Sequence, residues 1–73
     1  MSARQQHRRI LGDTVRAKRA KAGLSQEALA EKADLSTVFI SRVERGIESP
    51  SMDSMVKIAR ALGVRIRDLV AEI

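Results

Sequence analysis

The chain has no cysteine, no tryptophan and no tyrosine, and only a single phenylalanine, proline and histidine. Without cysteine there are no disulfides and no thiolate metal sites, and an intracellular setting is the natural expectation. His7 stands alone in a charged N-terminal stretch, so a histidine-based metal site has no second ligand. With Phe39 as the one aromatic residue, the core has to be aliphatic, built from Leu, Ile, Val, Ala and Met. No apolar run approaches the ~20 residues that a membrane span requires. The basic N-terminus is not followed by the apolar segment of a secretory signal. The acidic residues are scattered, and there is no glycine-rich phosphate loop or convergent set of His, Cys or paired carboxylates. That pattern is not an enzyme's, and it implies no metal, no cofactor and no small-molecule ligand.

What is present is charge, unevenly placed. The 73 residues carry a net +5. Residues 1–22 hold seven of the fourteen Lys and Arg against one acid, Asp13, and so contribute +6. Residues 23–73 hold seven basic and eight acidic residues, a net of −1. A basic balance alone points to nucleic acid only weakly, because a solvated helix face looks the same. The length suits one domain, near the lower size at which a chain buries its own core.

Periodicity predicts five short helices and no strand. Residues 1–7 (MSARQQH) lack apolar spacing and read as a flexible basic arm, with the folded domain over 8–73. Residues 8–22 are helix-compatible except at Gly12, with Leu11, Val15, Lys18 and Ala22 on one face and Gly23 in the place of a left-handed cap. Ser25 is an N-cap candidate for a helix over 26–33, and Ser36 for one over 37–45. The turn between them, Asp34-Leu35-Ser36, is tight, and Asp34 tolerates a left-handed backbone. Gly46 ends the third helix. Ser51 opens a fourth, with Met55, Ile58, Ala59 and Leu62 inward and Gly63 at its close. A fifth covers about 65–73, with Ile66, Leu69, Val70 and Ile73 at i, i+3, i+4 and i+7 and no evident cap at its start.

The centre of the chain is its most informative part. Leu29, Ala30, Ala33, Leu35, Ile40 and Val43 let the second and third helices close on each other across the turn. Thr37, Val38, Ser41, Arg42 and Arg45 are left as an outward polar and basic stripe at spacings of three and four. A helix suited to the major groove of DNA needs such a stripe.

The segments GLSQEALAEKA (23–33), LS (35–36), FISRVERG (39–46), SPS (49–51) and KIARALGV (57–64) resemble the phage-repressor-like helix-turn-helix proteins, often called the XRE family. The resemblance spans about residues 11–70. It implies an all-α, compact five-helix, lambda-repressor-like domain with a central helix-turn-helix. One departure is Asp34, where the family usually has glycine in the turn.

The resemblance also implies roles. The third helix would lie in the major groove with Thr37, Val38, Ser41 and Arg42 at the base edges. Arg42 suits guanine O6 and N7, and Val38 a thymine methyl. Gln26, at the start of the second helix, matches the family glutamine that holds a phosphate. Ser36, Phe39 and Arg45 are further backbone candidates, and Arg4, Arg8 and Arg9 offer salt-sensitive attraction. Each has a plain alternative: a surface arginine at Arg42, packing filler at Ser41, a half-buried support at Val38, a core residue at Phe39, a solvated residue at Gln26. Arg19 and Glu44 stand where relatives pair an arginine of the first helix with a glutamate ending the third. A structural ion pair is the reading taken here, over DNA contact.

A single reader of this size contacts few base pairs, so a homodimer on a palindromic operator of double-stranded DNA is expected. Val64, Val70 and Ile73 are its candidate interface, the alternative being that they merely close a small core. No length remains beside the five helices for an effector domain. The expectation is therefore a short stand-alone cytoplasmic regulator, bacterial or phage-encoded and nucleoid-associated, similar to restriction-modification controller proteins, compact repressors or some antitoxins. The rival reading is an antitoxin or adaptor whose working surface binds protein, with weak and unselective DNA affinity.

Overall fold

Serine begins four of the helices, and a residue in the left-handed conformation ends four. The computed structural model of the chain describes residues 2–73. It contains α1 (Ala3–Lys21), α2 (Gln26–Ala33), α3 (Thr37–Glu44), α4 (Met52–Leu62) and α5 (Ile66–Val70), with no strand among the described residues. Ser25, Ser36 and Ser51 each accept the amide of the third residue onward, at 3.0, 3.0 and 3.1 Å. Each hydroxyl thereby satisfies one of the amides that a helix start leaves without a partner.

The helix ends repeat just as closely. Gly23, Asp34, Gly46 and Gly63 all have φ between 57° and 75°. The amide of each following residue reaches back five positions: Leu24 to Arg19, Leu35 to Ala30, Ile47 to Arg42, and Val64 to Ala59. These are Schellman caps, and their apolar follower normally packs back onto the helix it ends. Leu24, Leu35 and Val64 do pack against the core, while Ile47 stays 47% exposed. Asp34 is the one non-glycine in this set, and its Cβ makes the left-handed conformation costly. Asp34→Gly is therefore expected to stabilise the fold by about 1 kcal/mol, read as a higher midpoint in urea unfolding.

Two boundaries differ from the expectation by more than a residue. The described part of the expected arm is helical, because Ser2 and Gln5 form a capping box. The Gln5 amide donates to Ser2 Oγ at 3.2 Å, and the Ser2 amide to Gln5 Oε1 at 3.0 Å. The side chain of Arg4, named above as a source of attraction to DNA, lies outside the described residues. The last helix stops at Val70 rather than Ile73. Its start is held by Asp68, whose Oδ2 accepts the Arg65 amide at 2.9 Å, a reach-back that the sequence reading missed.

Leu11, Val15, Leu29, Ala30, Ile40, Val43, Ile58, Ala59 and Leu69 form one aliphatic core. α3 packs on both α1 and α2, α2 on α4, and α5 on α1 and α4. Of the inward face expected for α4, Ile58 and Ala59 are buried, and Met55 and Leu62 are half-buried against the core. Lys18 is half-buried and Ala22 exposed, so the inward face of α1 is narrower than expected. Gly12 is buried instead. A Cβ there would lie 2.5 Å from the Val43 carbonyl oxygen and 2.7 Å from that of Glu44, so α1 and α3 meet backbone to backbone. Among the described residues, no helix is long and apolar enough to cross a membrane.

Candidate nucleic-acid interface

The last turn of α2, the three-residue turn and the first turn of α3 form one rigid corner. Leu35 donates its amide to the Ala30 carbonyl at 2.9 Å, which closes α2. The next residue, Ser36, caps α3 through the Phe39 amide at 3.0 Å. Ala30 and Ile40 are both buried in the shared core. The direction of α3 is thus set by its own cap and by what its inner face buries.

That inner face consists of Ile40, Val43 and Glu44. The outer face carries Val38, 67% exposed, and Arg42, with Thr37 and Ser41 half-buried beside them. Arg45 is exposed at the end of the helix, where its Nε makes a long 3.4 Å bond to the Ser41 carbonyl. The four side chains expected to meet base edges therefore share one accessible face. Phe39 is half-buried and packed against the core, which favours the core alternative over a place along the sugar-phosphate edge. Ser36 Oγ accepts a hydrogen bond from its own helix, leaving the hydroxyl proton available to a phosphate.

Glu44 holds this face in place from behind. Its side chain is only 2% exposed. Arg19 donates from Nε to Glu44 Oε2 at 2.6 Å and from Nη2 to Oε1 at 3.0 Å, a fork-to-fork pairing. Arg19 Nη1 also donates to the Leu24 carbonyl at 2.8 Å, tying the end of α1 into the same network. Burial pushes the Glu44 carboxyl up. The hydrogen bonds from Arg19 and Gln26, with the charges of Arg19 and Arg16, outweigh it and hold the group below the ordinary glutamate range. The bond to Glu44 likewise holds Arg19 above its usual value, against the opposing effect of burial.

Two links were not foreseen from the sequence. Gln26 Nε2 donates to Glu44 Oε1 at 3.0 Å, so the expected phosphate ligand is partly committed inside the protein. One amide proton and the carbonyl oxygen remain for other partners. Arg42 Nε donates to Glu48 Oε1 at 3.1 Å, across the loop that follows α3.

The remaining expectations separate in space. Arg9 lines an open groove with Arg16, Arg45 and Asp13 between α1 and the end of α3. Arg8 lines a different groove, with Met55, Pro50, Val70 and Ile73. Val64 belongs to neither; it borders Lys18, Lys21 and Leu62, as the capping residue after α4. Val70 and Ile73 thus form a common surface from which Val64 is absent.

A helix-turn-helix family model matches residues 15–69, from the second half of α1 to α5. The chain belongs to the helix-turn-helix family. This helix-turn-helix protein is similar to control protein C.BamHI of Bacillus amyloliquefaciens, 44% identical over 64 residues that cover 86% of this chain and 79% of that one. It is also similar to the immunity repressor of Bacillus phage phi105, 36% identical over 62 residues, which cover 85% of this chain and only 43% of the repressor. Among solved structures, the restriction-modification controller protein C.AhdI from Aeromonas hydrophila has a TM-score of 0.84 at 35% identity. That match covers 85% of this chain and 94% of the other. The resemblance read from the sequence motifs and the family match agree on the phage-repressor type.

Proposed function

We propose that this helix-turn-helix protein is a sequence-specific DNA-binding transcriptional regulator, cytoplasmic, acting as a homodimer on a palindromic operator. The observation that carries the reading is the two-sidedness of α3. Its inner face is sealed by Ile40, Val43 and the Arg19–Glu44 pair, while Val38 and Arg42 stand free of the core. The exposed methyls of Val38 suit contact with a thymine methyl. Arg42, with Thr37 and Ser41 beside it, reads base edges. Ser36, Arg45 and the remaining donor of Gln26 fix the register on the phosphates. The names of the similar proteins, control protein and immunity repressor, support the same reading.

The dimer surface is the groove edged by Val70 and Ile73, the latter 49% exposed. Two copies related by a two-fold axis would set their α3 helices about 34–36 Å apart, one turn of the duplex. Selection of bound fragments from random DNA tests the whole proposal. The expected product is a short half-site in two inverted copies whose centres are one turn apart. Arg42→Ala should relax the choice at one symmetric pair of positions by about 1–3 kcal/mol, with the remaining positions intact. Failure to enrich any sequence would favour the protein-binding alternative, and a single unpaired half-site would remove the dimer.

A further inference from the structure

The cap that ends α3 does more than stop a helix. Gly46 (φ 75°) turns the chain back, and the Ile47 amide bonds to the carbonyl of Arg42 at 3.1 Å. The residue whose backbone is caught in this way is the one whose side chain meets Glu48, the very next position. Arg42 Nε donates to Glu48 Oε1 at 3.1 Å, and the two side chains are 46% and 31% exposed. Main chain and side chain of Arg42 are thus tied to one short loop. Among the described residues, Nη1 and Nη2 of Arg42 have no bond within the chain.

We infer that Glu48 is a positioning residue for base recognition: it holds Arg42 by Nε and leaves the two terminal nitrogens to address guanine. The inference rests on the base-reading role proposed for Arg42. With Nε engaged by Glu48, bonding guanine O6 and N7 together takes both terminal donors, in one plane and one direction. An exposed arginine samples many rotamers, and a phosphate accepts it in most of them. Restraining the side chain therefore favours the guanine geometry selectively, since ordering a flexible side chain otherwise opposes binding. The carboxylate adds a second effect of the same sign. It repels phosphates, so it weakens contact with any duplex in which Arg42 does not find its base. As an ion pair between exposed groups it adds little stability to the fold. Its consequence lies in selectivity.

The test uses the full chain and the half-site recovered by selection. Wild type, Arg42→Ala, Glu48→Ala, Glu48→Gln and the Arg42→Ala/Glu48→Ala double variant are titrated against the operator, every single-base-pair variant of the half-site, and an unrelated duplex. Circular dichroism checks that each variant is folded. Glu48→Ala is expected to lose roughly tenfold in selectivity at the same base pair as Arg42→Ala, while binding the unrelated duplex more tightly. Glu48→Gln keeps an oxygen that accepts from Nε, so it should retain most of the selectivity while sharing the gain on unrelated DNA. The double variant should be no less selective than Arg42→Ala.

If Arg42→Ala shifts the pattern and Glu48→Ala does not, the positioning role is overturned and the base-reading role stands. Loss at a different base pair in Glu48→Ala would make Glu48 a reader in its own right and overturn positioning as well. If Arg42→Ala itself leaves the pattern unchanged, both readings fall together, and that outcome identifies the base-reading assignment as the one at fault.

Discussion

Arg19→Met is expected to destabilise the protein by about 3–5 kcal/mol, because it strands a buried charge. The Glu44 side chain is 2% exposed and takes three hydrogen bonds, two of them from Arg19. With arginine removed, Gln26 alone cannot compensate for the water that the carboxylate has given up. A domain of this size has a margin of roughly 4–11 kcal/mol in all, so the variant stands near unfolding at 37 °C. Urea unfolding gives the number directly. Replacing Arg19 and Glu44 together by apolar residues of similar volume should restore most of the loss, as burying neither charge is far less costly than burying one.

The pH dependence supplies an independent check of sign. In the native protein Glu44 lies below the ordinary glutamate value of 4.5. The unfolded chain therefore binds its proton first, and the contribution is fully present above that value and lost as the pH falls through the lower folded one. In Arg19→Met the main opposing influence on burial is gone, and the carboxyl moves up instead. The stability of the variant should then rise on acidification from pH 7 towards pH 5, where the native protein is flat. A variant with the native pH profile would show that Glu44 is solvated after all.

Gly12→Ala carries the second large effect, and its direction runs against helix propensity. In a free helix the change would stabilise by about 1 kcal/mol. Here the added carbon meets the backbone oxygens of Val43 and Glu44 at 2.5 and 2.7 Å, well inside contact distance. Backbone cannot rotate aside as a side chain can, so α1 has to move away from the end of α3. Overpacking of this kind costs about 1–3 kcal/mol, and Gly12→Val should cost more. The displacement also stretches the Arg19–Glu44 bonds, which join the same two helices. Thermal unfolding of the alanine variant should therefore show a lower midpoint; a raised one would mean that the helices are not in backbone contact.

The helix boundaries were legible where short-range chemistry sets them. Ser25, Ser36 and Ser51 bond within three residues of themselves, and Gly23, Asp34, Gly46 and Gly63 need only their own backbone to be left-handed. Ser2 and Gln5 follow the same rule, but the absence of apolar spacing around them concealed it. The core residues of α2 and α3 were legible because their faces repeat at helical spacing. Gly12 was not: its partner is the backbone of a helix thirty residues away, and backbone leaves no mark in a pattern of side chains. The internal partners of Gln26 and Arg42 escaped for a related reason. A polar residue near a predicted DNA face looks committed to DNA, and only three-dimensional proximity reveals a neighbour that claims it first. Val64 shows another limit, since nothing in the spacing of apolar residues marks it as the residue that packs back onto α4 beyond its cap.

The repeated caps at Gly23, Asp34, Gly46 and Gly63 have a consequence in time. Each closes through a bond between residues only five apart, so most helix ends can form before any distant part of the chain arrives. Small helical proteins rich in such nearby contacts fold within microseconds to milliseconds. Emergence from the ribosome, and not folding, then governs how quickly folded chains accumulate. A regulator of the kind proposed would gain from that, because its level could follow its own synthesis with almost no delay.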